Sequence, residues 1–376
     1  VLDGSSITGK ILYGTTLINA DGTGKISLGT GGEAVFSPDG NKILIIDAGN
    51  LYVVNVDGTN KVNLGTGDSP DWSPDGRKIV FTVGGKIYVI NASGGNKVEL
   101  GEGASPDWSP AGGKILFNRA DGIYVMNTDG SDVVKVLDSA SGVICSWSPQ
   151  GNKITYLADN QLWIMDSDGG NQLKIADGAY CPAWSPDGTK IAYFNGYVNI
   201  SNLDGSVIAS SGLYASFGFR IKWTPDSRAV GFIGTSQRAL TLLFVDGSES
   251  SLDATVRSFA FSPDGQWVSY NYDVRDGLHI SSLDGGVNVK LNDDPSTLAD
   301  MDWVVPGPPP PNNPPELAPI GDKTVEINQQ LEFTISATDP DGDILAYEAS
   351  NLPQGASFDA ATRTFTWTPA QAGAYS

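Results

Sequence analysis

The sequence predicts an all-β protein: an eight-bladed β-propeller followed by a smaller Ig-like β-sandwich. Three observations predict this fold. An aromatic residue followed by a tight-turn sequence recurs from Phe36 to Trp303, and its copies are evenly spaced. The segments between the copies are short, β-branched and aromatic, with no helical period.

The repeated motif is an aromatic anchor followed by a Ser/Thr-Pro turn. Its clear copies are FSPDG from Phe36, WSPDG from Trp72, WSPAG from Trp108, WSPQG from Trp147, WSPDG from Trp184, WTPDS from Trp223 and FSPDG from Phe261. A degenerate eighth copy, DWVVPG, carries Trp303. Successive anchors are 36, 36, 39, 37, 39, 38 and 42 residues apart. These spacings lie at or just below the about 40–45 residues of a four-stranded propeller blade.

Each repeat is predicted to form four short strands. The first strand ends at the anchor, and a tight turn follows because Pro presets φ and Gly relieves strain at the end of the turn. After Trp72, the second strand is KIVF (Lys78–Phe81) and the third is IYVIN (Ile87–Asn91). A two-residue turn, such as Asp57-Gly58 in the preceding repeat, leads to a short fourth strand.

The two ends of the repeat region predict how the ring closes. The chain opens at a second strand, Gly9–Gly14, with no anchor before it, whereas the last anchor segment, Leu298–Trp303, has no second strand after it. We therefore expect the C-terminal strand of the propeller to supply the inner strand of the first blade. This closure removes the unpaired edges of an open array. The predicted propeller spans residues 1–304.

A linker and a second domain are predicted after the propeller. Residues 305–315 read VPGPPPPNNPP, which is typical of a stiff polyproline spacer. Residues 316–376 are predicted to form an Ig-like β-sandwich with strands at 324–327, 331–337, 344–348 and 364–368. The domain is shorter than a complete sandwich of roughly 100 residues. We therefore expect that it is truncated or that a strand from elsewhere completes it.

The repeats resemble the TolB-like propeller family. The resemblance covers about Gly9 to Trp303 and rests on the WSPDG copies, on strands such as KIAYF (Lys190–Phe194) and IYVMN (Ile123–Asn127), and on the Asp-Gly turns. That family includes periplasmic protein-binding modules, propeller domains of prolyl-oligopeptidase-type peptidases and some polysaccharide lyases. The resemblance therefore implies a fold rather than one activity.

The C-terminal domain resembles the Ig-like and cadherin-like modules of bacterial surface proteins. The resemblance rests on the DPDGD box (Asp339–Asp343), the NLPQGASFD stretch and the WTP…AGAYS ending. Related modules often use this box for calcium, and carboxylates alternating around a Gly are an arrangement that Ca²⁺ favours. Asp339, Asp341 and Asp343 are therefore candidate calcium ligands, the alternative being a solvated turn.

Composition excludes several classes of function. The 376 residues contain 43 Asp+Glu against 23 Lys+Arg, for a net charge of -20, which argues against nucleic acid as a partner. No apolar run reaches the about 18 residues of a membrane helix, so we expect no membrane insertion. Two Cys cannot form a disulfide-dense scaffold, and a single His makes His-based catalysis hard to build.

Function is expected on the face that carries the variable loops, because the opposite face consists of tight turns. Cationic and aromatic residues gather in loops near the last two blades of this acidic chain. The candidate ligand-binding residues are Arg220, Lys222, Arg238, Arg257, Arg275, Tyr214, Phe217 and Tyr272. Guanidinium groups suit carboxylates, so the patch would hold an acidic sugar or an acidic peptide. The alternative is that these arginines pair with nearby aspartates.

Three aspartates, Asp71, Asp107 and Asp302, directly precede Trp anchors. They are candidates for a carboxylate ring that binds a cation in the central channel. The alternative is that each carboxylate hydrogen-bonds its own tight turn.

The single histidine and the two cysteines have structural interpretations. His279 falls in the third-strand position that aromatic residues such as Tyr88 and Tyr124 fill in other repeats, so we expect it to pack in the core. Cys145 and Cys181 lie two and three residues before their anchors, on inner strands of adjacent blades. Two buried thiols are the favoured interpretation, with a disulfide as the alternative.

The leading functional hypothesis is a secreted, cell-surface or periplasmic scaffold whose propeller binds a protein or an acidic polysaccharide. One alternative is a polysaccharide lyase or glycosidase of the propeller type, and no GxSxG elbow indicates a serine hydrolase. Another is a structural subunit that self-assembles when its C-terminal module accepts a strand from a neighbouring chain. The sequence leaves the question of enzymatic activity open and favours binding.

Overall fold

The structure is a computed structural model. It describes residues 7–29, 32–138, 144–214, 221–234, 238–253, 256–272, 277–293, 300–307, 314–339 and 345–373. The described residues are all-β, and they contain no helix long and apolar enough to cross a bilayer.

Short strands follow one another along the repeat region. The first sixteen are β1 Lys10–Tyr13, β2 Thr16–Asn19, β3 Ile26–Ser27, β4 Glu33–Phe36, β5 Lys42–Asp47, β6 Asn50–Asn55, β7 Val62–Thr66, β8 Asp68–Trp72, β9 Lys78–Val83, β10 Lys86–Asn91, β11 Val98–Glu102, β12 Ala104–Trp108, β13 Lys114–Arg119, β14 Gly122–Asn127, β15 Val134–Asp138 and β16 Ile144–Trp147. The next sixteen are β17 Lys153–Ala158, β18 Gln161–Asp166, β19 Leu173–Asp177, β20 Tyr180–Trp184, β21 Lys190–Phe194, β22 Tyr197–Asn202, β23 Val207–Tyr214, β24 Lys222–Trp223, β25 Ala229–Ile233, β26 Leu240–Phe244, β27 Glu249–Asp253, β28 Val256–Phe261, β29 Trp267–Tyr272, β30 Leu278–Ser282, β31 Asn288–Lys290 and β32 Met301–Val304.

Within the described part of the chain these strands form eight four-stranded antiparallel sheets, here called blades 1 to 8. Blade 1 is β32-β1-β2-β3, blade 2 is β4–β7, and each later blade takes the next four strands in order. The innermost strand of blade 1 is β32, which pairs with β1 through Ile11↔Trp303 and Leu12↔Asp302. Strand β32 also contacts β28 of blade 8 and β4 of blade 2. The sheets therefore have the arrangement of a β-propeller, with the first blade completed from the far end of the repeat region.

The turn between the first two strands of a blade is closed by its own side chain. In blade 3, the Ser73 hydroxyl accepts a hydrogen bond of 2.9 Å from the Lys78 amide, and the Gly76 amide donates to the Ser73 carbonyl at 2.8 Å. Gly76 has a φ of 68°, a conformation that glycine adopts without steric cost. The Ser-Pro-Asp-Gly sequence therefore sets this end of each blade locally.

The core lies between neighbouring blades. Because side chains alternate along a strand, Ile11 packs towards blade 8 beside Ile280, while Leu12 packs towards blade 2 beside Ile43. Both faces of the middle strands are buried, which explains why they read as continuous apolar runs. The Trp anchors fill the same seams, as Trp72 does against Leu44.

The C-terminal region contains its own small sheets. Its strands are β33 Glu316–Leu317, β34 Leu331–Thr334, β35 Ala337–Thr338, β36 Ser357–Asp359 and β37 Thr364–Trp367, in the sheets β33-β35 and β34-β37-β36. The predictions for 331–337 and 364–368 are confirmed in outline. Those for 324–327 and for the described part of 344–348 are wrong, since neither forms a strand. Hydrogen bonding within the sheets, which apolar alternation does not specify, decides which segments pair.

Candidate functional site

Strand direction separates the two faces of the propeller. The turns between the first and second strands and between the third and fourth strands lie at one end of each blade, because successive strands are antiparallel. At this end the Asp-Gly turns also bond themselves: the Asp57 carboxylate accepts from the amide and the hydroxyl of Thr59 at 2.9 and 2.6 Å. The other end carries the loops between second and third strands and the connections between blades, and we call it the loop face.

An open groove of about 730 Å³ lies on the loop face, along blades 3, 4 and 5. Its lining comes from the blade 3 and blade 4 loops, the connection between them, and the start of blade 5: Gly85, Glu102, Gly103, Ala104, Ser105, Asn118, Arg119, Ala120, Asp121 and Ile144. We call it the loop-face groove. It lies on the face where the sequence places function, but on other blades than the cationic residues.

The polar side chains of the loop-face groove are held by neighbours. The Arg119 Nε donates to the Glu102 carbonyl at 3.1 Å, and its guanidinium lies 4.5 Å from the Tyr124 ring centroid. The Asp121 carboxylate accepts from the Tyr124 hydroxyl at 2.9 Å and pairs with the Lys135 ammonium at 2.7 Å. The hydrogen bond from Lys135 lowers the pKa of Asp121 below its ordinary value. The groove therefore presents preorganised charges.

An apolar side chain stands at one edge of this groove. Ile144 begins the inner strand of blade 5 and is 69% exposed, the largest exposed fraction among the large apolar side chains in the described residues. Nothing in the repeat pattern indicates it, because the residues before an anchor vary from copy to copy. A side chain of this kind is a candidate contact for a partner.

Backbone geometry shapes the groove floor. The inner strand of blade 4 is bulged between Ala104 and Asp107, and Ser105 there has a φ of 48°. Gly103 precedes it, and a Cβ at Gly103 would lie 2.5 Å from a ring carbon of Phe117. The bulge and the glycine together let the connection between the blades pass close over the core.

The aspartates that precede anchors join neighbouring blades. Asp71 accepts a hydrogen bond from the Trp108 amide at 2.7 Å, and Asp107 accepts one from the Trp147 amide at 3.0 Å. Asp302 accepts from the Trp303 amide at 2.9 Å and also from the amide of Phe36 in blade 2. The expectation of bonds confined to the residue's own turn is wrong, because each carboxylate reaches the anchor of the next blade.

These carboxyl groups have raised pKa values. Burial raises the pKa of Asp71 to about 6. Burial, with a further contribution from the Asp71 charge, raises that of Asp107 to about 7. Burial also raises the pKa of Asp302, while Lys222 opposes the shift. In the described residues no group of three His, Cys, Asp or Glu side chains has the geometry to hold a metal ion.

The predicted cationic patch is only partly described. Arg220, Phe217 and Arg275 lie outside the described residues, and Tyr214 and Tyr272 are described as strand ends without side chains. Among the others, the Lys222 ammonium donates to the Met301 carbonyl and lines a cavity at the channel. The Arg238 carbonyl accepts from the Val256 amide at 2.8 Å, which places its backbone beside that of Arg257. Arg238 and Arg257 thus meet where blades 7 and 8 join, whereas Lys222 points to the channel.

Little of the calcium box is described. Asp339 is half-buried, whereas Asp341 and Asp343 lie outside the described residues. The calcium site therefore stays a prediction.

The prediction for His279 is confirmed. Its ring is buried and stacks on Tyr270, with centroids 5.8 Å apart and planes inclined by 19°. Phe117 and Tyr124 form the same cross-strand stack in blade 4, at 5.5 Å and 25°. The histidine therefore replaces a packed aromatic residue.

The two cysteines are free thiols. Cys145 is half-buried, its Sγ lies 3.1 Å from the Asn118 Oδ1, and burial raises its pKa to about 12. Cys181 is exposed and has a φ of 49°, so the expectation that both thiols are buried is wrong for Cys181. The bulge at Cys181 turns its side chain out of the seam, and a regular strand pattern cannot show this.

Comparisons with known proteins support the two-part fold. Residues 314–376 match the He_PIG family model ("Putative Ig domain"). A eukaryotic initiation factor structure is 12% identical, with 81% of this chain and 100% of that chain covered and a TM-score of 0.57. An oligogalacturonate lyase in complex with manganese is 14% identical, with coverages of 71% and 95% and a TM-score of 0.52. TolB from Acinetobacter baumannii is 19% identical, with coverages of 78% and 66% and a TM-score of 0.41.

No curated protein sequence matches the chain. At such low identity the structural similarities show the fold and not the activity. The predicted all-β propeller, and the resemblance of the C-terminal region to an Ig-like module, are confirmed.

Proposed function

We propose that this protein is a binding and scaffold protein whose propeller holds a protein ligand in the loop-face groove. The observation that carries the proposal is the groove itself, with exposed Ile144 at its edge and Arg119 fixed in its wall. Arginine and exposed apolar side chains are the groups that most often anchor protein partners. The eight sheets supply the rigid frame that such loops need.

The charges of the groove favour a partner of mixed character. Glu102 and Asp121 attract basic groups, while Arg119 offers donors to a carboxylate or a backbone carbonyl. Because the protein has a net charge of -20, a partner with a basic surface associates faster at low ionic strength.

A photo-crosslinking amino acid in place of Ile144 tests the proposal, with the same replacement at Leu173 as the control. Leu173 is also exposed but lies on the outer strand β19, away from the groove. A partner captured from the source cells at position 144 only is then purified. Ile144→Glu and Arg119→Glu are each expected to weaken its binding at least tenfold. Equal capture at both positions, or full binding by both variants, would refute the groove as the binding site.

An acidic polysaccharide is the second candidate ligand. Arg238 and Arg257 meet at the junction of blades 7 and 8, in the region where Arg220 and Arg275 add further charge to the sequence. Guanidinium groups at such a junction would pair with uronate carboxylates. Affinity electrophoresis in polygalacturonate, with neutral dextran as the control, should show retardation that Arg238→Glu and Arg257→Glu abolish. Release of unsaturated products, followed by ultraviolet absorbance, would instead indicate a lyase.

We place the protein outside the cytoplasm, at the cell surface, secreted or in the periplasm. The low Lys+Arg content, the acidic balance and the Ig-like match at residues 314–376 support this placement. In this setting the C-terminal module is proposed to bind Ca²⁺ through Asp339, Asp341 and Asp343, and to be able to accept a strand from a neighbouring chain.

The calcium proposal predicts a heat of binding. Titration of the full chain with CaCl₂ should give a saturable signal that Asp341→Asn with Asp343→Asn removes, because carboxylates supply the charge that Ca²⁺ requires. Asp129→Asn, in a propeller turn, is the matched control and should leave the signal unchanged. A full signal from the double variant would assign calcium elsewhere.

A further inference from the structure

A second cavity, of about 470 Å³, lies at the inner ends of blades 1, 2 and 3 and reaches Lys222 of blade 7. We call it the channel cavity. The residues that matter for its chemistry are Glu33, Val35, Trp72, Lys222, Asp300 and Asp302. Its volume falls within the range of about 300–1,000 Å³ that is typical of small-molecule sites.

The indole of Trp72 is exceptional among the anchors. Its Nε1 is buried and has no hydrogen-bond acceptor among the described residues, and the whole residue is only 6% exposed. The other five Trp anchors donate to an oxygen: Trp108 to Gly112 at 3.0 Å, Trp147 to Asp107 at 3.2 Å, Trp184 to Thr155 at 3.2 Å, Trp223 to Ala183 at 3.0 Å and Trp303 to Thr8 at 3.1 Å. A buried donor without an acceptor costs about 1–3 kcal/mol, so this N–H calls for a partner.

The repeat shows where this N–H points. Trp147 and Trp223 donate to the carbonyl of the residue that precedes the anchor of the previous blade. The corresponding residue for Trp72 is Val35, which lines the channel cavity together with Trp72. The indole therefore faces the part of the seam between blades 2 and 3 that opens into the cavity.

The charge of the channel cavity is acidic. Glu33, Asp300 and Asp302 line it, and Lys222 is its one cationic side chain among the described lining residues. The Lys222 ammonium is already bonded to the Met301 carbonyl and lies close enough to Asp302 to lower the pKa of that carboxyl. The remaining field attracts a cation and repels an anion.

We propose that the channel cavity binds an amine-bearing sugar unit. The orphaned Trp72 N–H needs an acceptor, which a sugar hydroxyl or ring oxygen supplies. Glu33 and Asp300 attract a protonated amine, and Val35 and Ile46 offer apolar contact to the face of the ring. A simple inorganic cation would leave the N–H without an acceptor, and a uronic acid would meet like charge.

The test uses four probes that share a pyranose ring: D-glucosamine, N-acetyl-D-glucosamine, D-glucose and D-glucuronate. They are titrated calorimetrically into the full chain, at low ionic strength and at a pH where the amine of glucosamine is protonated. Glucosamine is expected to bind at least fivefold more tightly than glucose, and glucuronate more weakly than either. Glu33→Gln should reduce the preference for glucosamine about fivefold, whereas Glu102→Gln, in the loop-face groove, should not.

The indole itself supplies the second measurement. Trp72→Phe removes the N–H and is expected to weaken glucosamine binding about fivefold, whereas Trp108→Phe, whose N–H is bonded within its own blade, should leave it unchanged. In the wild-type chain, glucosamine should shift the indole N–H resonance of Trp72. Glucuronate binding as tightly as glucosamine, no binding of either amine-bearing probe, or an unmoved Trp72 resonance would overturn the proposal. The loop-face proposal would be unaffected by any of these results.

Discussion

Replacing Asp107 by Asn tests how neighbouring blades are joined. The carboxylate accepts a hydrogen bond from the Trp147 amide of the next blade, and burial beside Asp71 raises its pKa to about 7. A raised pKa means that the folded protein binds more protons than the unfolded chain between the ordinary value of 3.8 and about 7. The contribution of Asp107 to folding stability is therefore greatest at acid pH and falls as the pH rises towards 7.

The magnitude follows from the shift. Between pH 5 and pH 7 the ionised carboxyl loses about 1.4 kcal/mol of relative stability per pH unit, which amounts to about 3 kcal/mol. Asn keeps an amide oxygen for the Trp147 N–H and has no charge to bury. The stability of Asp107→Asn relative to wild type should therefore rise by about 3 kcal/mol between pH 5 and pH 8.

Urea unfolding of both chains at pH 5, 6, 7 and 8 measures this difference. Comparing the two chains cancels the contributions of all other titrating groups. Asp129→Asn is the control, because hydrogen bonds from Ser131 lower the pKa of that exposed turn aspartate and its difference should not rise with pH. A stability difference between Asp107→Asn and wild type that stays constant from pH 5 to pH 8 would refute the reasoning.

Two other predictions concern packing and thiol reactivity. Gly103→Ala should lower the free energy of unfolding by about 1–3 kcal/mol, since its Cβ would lie 2.5 Å from a ring carbon of Phe117. Gly113→Ala, which meets nothing within 4 Å, should have little effect, and equal melting temperatures for both variants would contradict the packing argument. Cys181 should react with a thiol reagent at neutral pH well before Cys145, because Cys181 is exposed and burial raises the Cys145 pKa to about 12. Faster labelling of Cys145, identified by mass spectrometry, would contradict this order.

Local sequence determined the blades, because each turn and each apolar strand is specified within a few neighbouring residues. Ser73 and Gly76 close their turn without help from another blade, and the same chemistry recurs at each Ser-Pro-Asp-Gly copy. The unpaired strands at the two ends of the repeat region predicted the pairing of β1 with β32. The position of His279 in a repeated pattern likewise predicted its stack on Tyr270.

The tertiary structure decided everything that joins one blade to the next. Asp107 and Trp147 are 40 residues apart, so no local pattern shows that one carboxylate bonds the other residue's amide. The loop-face groove and the orphaned N–H of Trp72 likewise depend on which side chains meet across seams. The sequence determined the repeating units, whose interactions are local. The arrangement of functional groups was decided only when distant units packed together, because those contacts have no counterpart within a single repeat.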